Sequence, residues 1–199
     1  MLRVLALALS AAPASAACLD ESDLGRGVVV TYANGDSTLM RRGADGYVGV
    51  EERYANGDPT MRLRAHRGIY FVGEMQLDER GAEVPGSRLD VRFEEDPATF
   101  PDPAPGVTWT GRSVNVFADG SERPETTTAT FGAAPPLALG DCTYQAVTTD
   151  LRYDWGPEGG LTLRYLFLPE VGTGIILSNQ FDGGELNETV PVSLTLATK

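Results

Sequence analysis

The sequence predicts an all-β protein: an antiparallel meander of about 10–12 strands forming a curled sheet, open barrel or sandwich. Three observations carry that expectation. Apolar and polar residues alternate with a period of two along much of the chain, and Asn-Gly or Asp-Gly turn signals separate the alternating runs. No window carries a 3.6-residue apolar stripe of helical length. The composition agrees, because 42% hydrophobic and 22% charged residues suit a packed domain rather than a disordered chain.

The first element is not a strand. Arg3, the apolar run Val4 to Leu9 and the small-residue tract ending in Ala14-Ser15-Ala16 form the pattern cut by a signal peptidase. Residues 1–16 are therefore expected to be a signal peptide and 17–199 a single all-β domain, periplasmic or secreted. The apolar run is far shorter than the roughly 20 residues needed to span a bilayer. A rival reading takes Ser15-Ala16-Ala17-Cys18 as a bacterial lipoprotein box with Cys18 acylated, although a large aliphatic residue is usual where Ser15 stands. Cysteine parity favours the first reading. An exported chain with two cysteines, Cys18 and Cys142, reads most simply as one disulfide. Closing so long a loop is worth up to roughly 4–5 kcal/mol in the chain-entropy model.

The strands follow in order. Val28 to Tyr32 is β-branched and aromatic, Ala33-Asn34-Gly35-Asp36 turns the chain, and Ser37 to Arg42 returns. Gly43-Ala44-Asp45-Gly46 turns again before Tyr47 to Tyr54. Tyr-Ala-Asn-Gly-Asp then recurs at 54–58, 22 residues after its first copy at 32–36, with a looser echo at Phe117-Ala118-Asp119-Gly120-Ser121. That spacing is one hairpin step of a meander, which puts Asn34-Gly35 and Asn56-Gly57 in matching turns at the same end of one sheet, each expected as type I′.

Alternation assigns faces. Met61, Leu63 and Ala65 share one side, with Arg62, Arg64 and His66 on the other. Ile69, Phe71, Met75 and Leu77 alternate with Tyr70, Val72, Glu74 and Gln76; Leu89, Val91 and Phe93 alternate with charged neighbours. Val190, Val192, Leu194 and Leu196 form the last half-buried run, and Pro191 within it marks an edge strand. Residues 96–106 hold four prolines and must be a loop, leaving possible halves at 27–94 and 107–198 within one sheet or sandwich. Leu161 to Leu168 and Ile175 to Leu177 flank a further turn.

The opening from Cys18 to Asp36 and the region 140–180, where Cys142-Thr143-Tyr144 precedes Leu168-Pro169-Glu170-Val171-Gly172, resemble uncharacterised exported β-rich proteins of bacteria. That resemblance implies export and a β fold, and no activity. The lipoprotein-carrier half-barrels are an architectural analogy only.

Candidate chemistry is sparse. His66 is the single histidine, so a histidine metal site has no second ligand, and no metal or cofactor is expected. No Gly-x-Ser-x-Gly occurs. Glu51 and Glu52 are adjacent in a strand and must face opposite sides, while Glu94-Glu95-Asp96 reads as a charged strand end. The loop from Asp182 to Glu188 lacks the spacing of an EF-hand. No catalytic residue is assigned. A net charge of −12 argues against nucleic-acid binding.

One local exception is basic. Residues 41–67 carry six arginines against four acids. Arg41, Arg62, Arg64 and His66 are the candidate binding residues, for an anionic envelope ligand should the arginines lie unpaired around a groove. Cross-strand pairing with Glu51, Glu74, Asp90 and Glu94 is the alternative. Two functions stay open: a non-enzymatic envelope module that binds a lipid, glycan or protein, or a hydrolase of envelope material using carboxylates from distant strands. A concave pocket with converging carboxylates, as against a flat basic face, separates them.

Overall fold

The computed structural model describes residues 18–198, so the expected signal peptide lies outside the described residues. Strands β1 (Val28–Tyr32), β2 (Ser37–Arg42), β3 (Val48–Arg53), β4 (Thr60–His66), β5 (Tyr70–Leu77), β6 (Leu89–Phe93), β7 (Thr108–Phe117) and β8 (Glu122–Ala133) form a continuous antiparallel meander. A hairpin of β9 (Leu137–Leu139) and β10 (Cys142–Tyr144) stands apart from it. The sheet resumes beside β8 with β11 (Val147–Asp154), β12 (Gly160–Leu168), β13 (Thr173–Phe181) and the two-residue β14 (Asn187–Glu188). β15 (Pro191–Leu196) then crosses to the opposite edge and pairs with β1. The result is one 13-stranded sheet that is not closed into a barrel.

Its two edges are nevertheless tied together. Only Thr189 and Val190 separate β14 from β15; the Thr189 amide donates to the Leu177 carbonyl (2.8 Å) and the Ala33 amide to the Val190 carbonyl (2.9 Å). The sheet curls so that β1–β5 face β11–β13. The Phe71 and Tyr165 rings lie 6.2 Å apart across the gap, and Thr173 Oγ1 approaches Met40 Sδ at 3.4 Å. Gly68 permits that closure: a Cβ there would sit 2.1 Å from Thr173 Oγ1. The core between the walls includes Leu24, Val28, Met40, Val48, Ala65, Leu151, Leu168 and Val171, all with no exposed surface.

Asn34-Gly35 and Asn56-Gly57 occupy matching turns at one end of the sheet, as the repeat predicts. In each, the Asn carboxamide accepts from the Asp two residues on, and the Gly amide donates back to the preceding Tyr carbonyl. Asp36 Oδ1 also accepts from the Ala55 amide (2.8 Å), so the first turn braces the second. The turn type differs from expectation. Only the glycines have positive φ (91° and 86°), so neither turn is type I′. The first is a three-residue loop ending in a left-handed glycine, closed by the Tyr32 amide on the Asp36 carbonyl, and the second sits within the longer 54–59 connection. Asp119-Gly120 closes the same way as the first. Two consecutive positive φ values, the signature of type I′, occur at Arg67 (54°) and Gly68 (67°).

Further expectations change. A bulge between Arg64 and Ala65 leaves an extra residue in β5, since Ala65 pairs with Phe71 but Arg64 with Gly73. One extra residue exchanges the faces beyond it. Glu74 therefore lies opposite Leu63 on the inner side, and Met75 lines the outer one. In the last run only Leu194 is buried; Val190 before β15 and Val192 and Leu196 on it are exposed, because an edge strand has a neighbour on one side only.

The proline-rich segment is a loop with one 3-10 turn, Pro97–Thr99. Only Gly73 and Glu74 of β5 pair with β6, and the loop fills the gap this leaves with Phe100, whose ring packs on Tyr70, Phe93 and Trp109 at centroid distances of 4.1–5.1 Å. Cys18 and Cys142 form a disulfide with Cα atoms 5.6 Å apart, fixing the start of the described chain to β10.

Candidate functional site

Two concavities stand on opposite faces of the same strands. The outer one holds the arginines that the sequence singles out. Arg41, Arg62, Arg64 and Arg88 surround a groove in which Gly49 and Gly73 flank Arg64 in register and leave room on either side of it. Register explains their state. Glu51 lies directly opposite Arg62, whose Nε and Nη2 both donate to Glu51 Oε1 (3.1 and 2.8 Å). Arg64 donates twice to Asp45 Oδ2 (3.2 and 3.0 Å) and stacks on Tyr47, with Cζ 3.8 Å from the ring centre. The guanidinium of Arg64 holds the Asp45 carboxyl below its ordinary range. Arg88 pairs with Glu83. Arg62 and Arg64 are thus paired, with Glu51 and Asp45, whereas Arg41 makes no ion pair among the described residues.

His66 is half-buried at the end of β4, between Tyr47 and Tyr70, with Nε2 accepting from Arg67 Nε (3.2 Å). Burial, reinforced by the Arg67 charge, lowers its pKa and keeps it neutral.

The inner concavity went unassigned in the sequence. It is a chamber of about 560 Å³ between the two walls, within the size range of small-molecule sites. It lies at the end carrying the Asn-Gly turns, since Tyr54, Phe117, Trp155 and Phe181 each precede a turn there. Its walls are apolar: Met61 and Leu63 from β4, Leu89 and Val91 from β6, Leu161 and Leu163 from β12, and Ile176 from β13. Its polar groups come from many strands: Glu52 from β3, Glu74 from β5, Asn115 from β7, Arg123 and Glu125 from β8, Tyr153 from β11 and Asn179 from β13.

Glu125 is buried (6% exposed) and saturated. Ser113 Oγ (3.1 Å) and Thr127 Oγ1 (3.0 Å) donate to Oε1, and Asn115 Nδ2 (2.9 Å) and Trp155 Nε1 (2.7 Å) donate to Oε2. Four donors satisfy a buried carboxylate and lock their own side chains in turn. Trp155, fixed by its edge, presents a face to Arg123, whose Cζ lies 3.9 Å from the ring centre, with Phe117 at 5.2 Å. Such stacking stabilises a partly desolvated cation by about 1–2 kcal/mol.

The other carboxylates are less well served. Glu52 receives one bond, from Tyr54 Oη (2.7 Å), and burial pushes its pKa up. Glu74 receives no side-chain or backbone bond among the described residues, and burial, then the charges of Glu52 and Glu125, push its pKa up as well. Glu51 and Glu52 do face opposite sides, as adjacency in a strand requires: one pairs with Arg62 outside, the other enters the chamber.

Three buried polar atoms that belong to chamber-lining residues have no protein partner: Asn115 Oδ1, Tyr153 Oη and Arg123 Nε. Native proteins rarely leave buried polar atoms unmatched, and here three such atoms belong to residues lining one concavity. Fold and site define a class: a curled antiparallel sheet enclosing an amphipathic chamber. No family model, curated protein or solved structure matches the chain.

The local sequence held one signal for this site that the period-two reading passed over. Gly73 breaks the alternation between Phe71 and Met75, and a glycine inside a strand run often marks a bulge. Allowing for it moves Glu74 inward.

Proposed function

We propose that the chain is an exported binding module that takes a single-chain amphipathic small molecule into the chamber, apolar part against Leu63, Leu161 and Leu163, polar head among Glu52, Glu74, Asn115 and Tyr153. The observation that carries this reading is the combination of a chamber of about 560 Å³ with three buried, unmatched polar atoms in its lining. Apolar walls with a few convergent polar groups are the usual make-up of a small-molecule site. Export is supported by the leader-like residues 1–16 and the Cys18–Cys142 bridge, which belongs to an oxidising compartment.

The test uses a neutral fluorescent probe, N-phenyl-1-naphthylamine, titrated into the mature protein. Saturable enhancement at one site, reversed by single-chain amphiphiles and lost in Leu163→Trp, is expected. Absence of saturable binding, or binding unchanged in a folded Leu163→Trp variant, overturns the reading.

A second reading, hydrolysis of envelope material, draws on the fact that Glu52, Glu74 and Glu125 line one concavity. Glu74 and Glu52, whose oxygens are not saturated as those of Glu125 are, would supply the acid and the base. Release of reducing sugar from purified cell-wall material, abolished in Glu74→Gln, would establish it; no release leaves binding alone.

A further inference from the structure

The polar groups of the chamber are unequal in kind, and the inequality specifies a ligand. Glu74, Glu52 and Asn115 offer acceptors. Both oxygens of Glu74, Oε1 of Glu52 and Oδ1 of Asn115 receive no hydrogen bond from the described residues. The donors left without a hydrogen bond belong to Arg123, stacked on Trp155 and Phe117, and to Asn179 Nδ2, with the Tyr153 hydroxyl able to act either way. Asn115 is 1% exposed, and its amide is turned by Glu125 so that Nδ2 is consumed and Oδ1 is left over. Charge runs the same way, with three glutamates against one arginine in the lining. Trp155 and Phe117 already hold a cation, the Arg123 guanidinium, on their faces.

We propose that the polar head of the ligand is an N–H-bearing organic cation, an alkylammonium group, held by Glu74 and Glu52 with Asn115 Oδ1 as a third acceptor. This rests on the chamber being a binding site at all. A primary ammonium supplies three donors and one positive charge, matching the open acceptors of Glu74, Glu52 and Asn115 in a lining of three glutamates against one arginine. Arg123 is then the resident cation of the chamber mouth. Its ion partner, Glu158, is 3.8 Å away and mostly exposed, so the guanidinium is weakly held and opposes an incoming cation.

Protonation follows from the same arrangement. The groups facing Glu74 are Glu52 from β3, Glu125 and Arg123 from β8, Tyr153 from β11 and Tyr165 from β12, and the tyrosines stay neutral because burial raises them. A bound cation favours the ionised carboxylates, so binding releases protons and strengthens as pH rises from about 5 to 7.5. An anionic head would show the reverse.

The experiment compares one tail with four heads: octylamine, octyltrimethylammonium, octanol and octanoate, each displacing N-phenyl-1-naphthylamine from the mature protein at pH 7.5 and pH 5. Octylamine is expected to bind about tenfold or more tighter than octanol and octanoate, in keeping with a charge-assisted hydrogen bond, and tighter than octyltrimethylammonium, which lacks N–H. Glu74→Gln should lose about tenfold for octylamine and little for octanol, and Arg123→Gln should gain affinity for octylamine. Equal binding of all four heads, or preference for octanoate abolished by Arg123→Gln, overturns the cation assignment while leaving the chamber as a site. Failure of every head and of the probe overturns the chamber reading instead. Thermal melts of both variants separate lost binding from lost folding.

Discussion

Each inward-facing strand of this protein is two things along its length. At the end near the disulfide, β3 contributes Val48 and Val50 and β11 contributes Leu151, all buried against the opposite wall. Towards the Asn-Gly turns the same strands contribute Glu52 and Tyr153 to the chamber. β8 shows the change residue by residue: Phe131, Ala129, Thr127, Glu125 and then Arg123 run along one face from apolar core to charge. The difference teaches that one end closes the sheet and pins it, which lets the other hold desolvated carboxylates that no well-packed core would keep.

That division can be broken in measurable ways. Removing the disulfide with Cys18→Ser and Cys142→Ser should cost about 4 kcal/mol of stability, read by denaturant melts, with the chamber affinity unchanged at temperatures where the protein stays folded. Equal loss of binding and stability would mean that the two ends are not separable.

Core substitutions sharpen the contrast. Leu151→Ala, at a site with no exposure, should cost about 3 kcal/mol. Met61→Ala, half-buried in the chamber wall, should cost under about 1.5 kcal/mol, because fewer contacts and no sealed cavity are involved.

The carboxylates invert the usual sign. Glu52 and Glu74 both have folded-state pKa values raised above the ordinary 4.5 by burial. The folded state therefore binds more protons than the unfolded one, and stability falls as pH rises from 4.5 through the raised values. Glu52→Gln with Glu74→Gln should melt higher than the parent at pH 7, and the gain should shrink toward pH 4. A gain independent of pH would refute the burial of these charges. His66 acts in the opposite window: its lowered pKa means stability is lost as pH falls through about 6.5, so His66→Gln should flatten that part of the curve.

The smallest effect is expected on the outer face. Arg62 and Arg64 are partly exposed ion-pair members, so Arg62→Ala with Arg64→Ala should change stability by about 1 kcal/mol or less and leave chamber binding intact. Loss of binding to an anionic ligand in that variant would restore the outer groove as a site.

What the chain determined locally is extensive. Period-two alternation and the repeated Tyr-Ala-Asn-Gly-Asp placed the strands, put both Asn-Gly turns at one end, set Arg62 and Arg64 outward, and sent Glu51 and Glu52 to opposite faces. Cysteine parity named the bridge. These follow from the backbone pleat and from glycine's access to positive φ, which act over a few residues. Only the tertiary structure decided where those faces go. The curl of the sheet gathers Glu52, Glu74, Asn115, Glu125 and Tyr153 from strands up to about a hundred residues apart, and one bulge in β5 carries Glu74 to the inner side. Curvature and bulges are set by how two walls pack against each other, through contacts such as Gly68 against Thr173 and Phe71 against Tyr165, and no stretch of neighbouring residues encodes them alone.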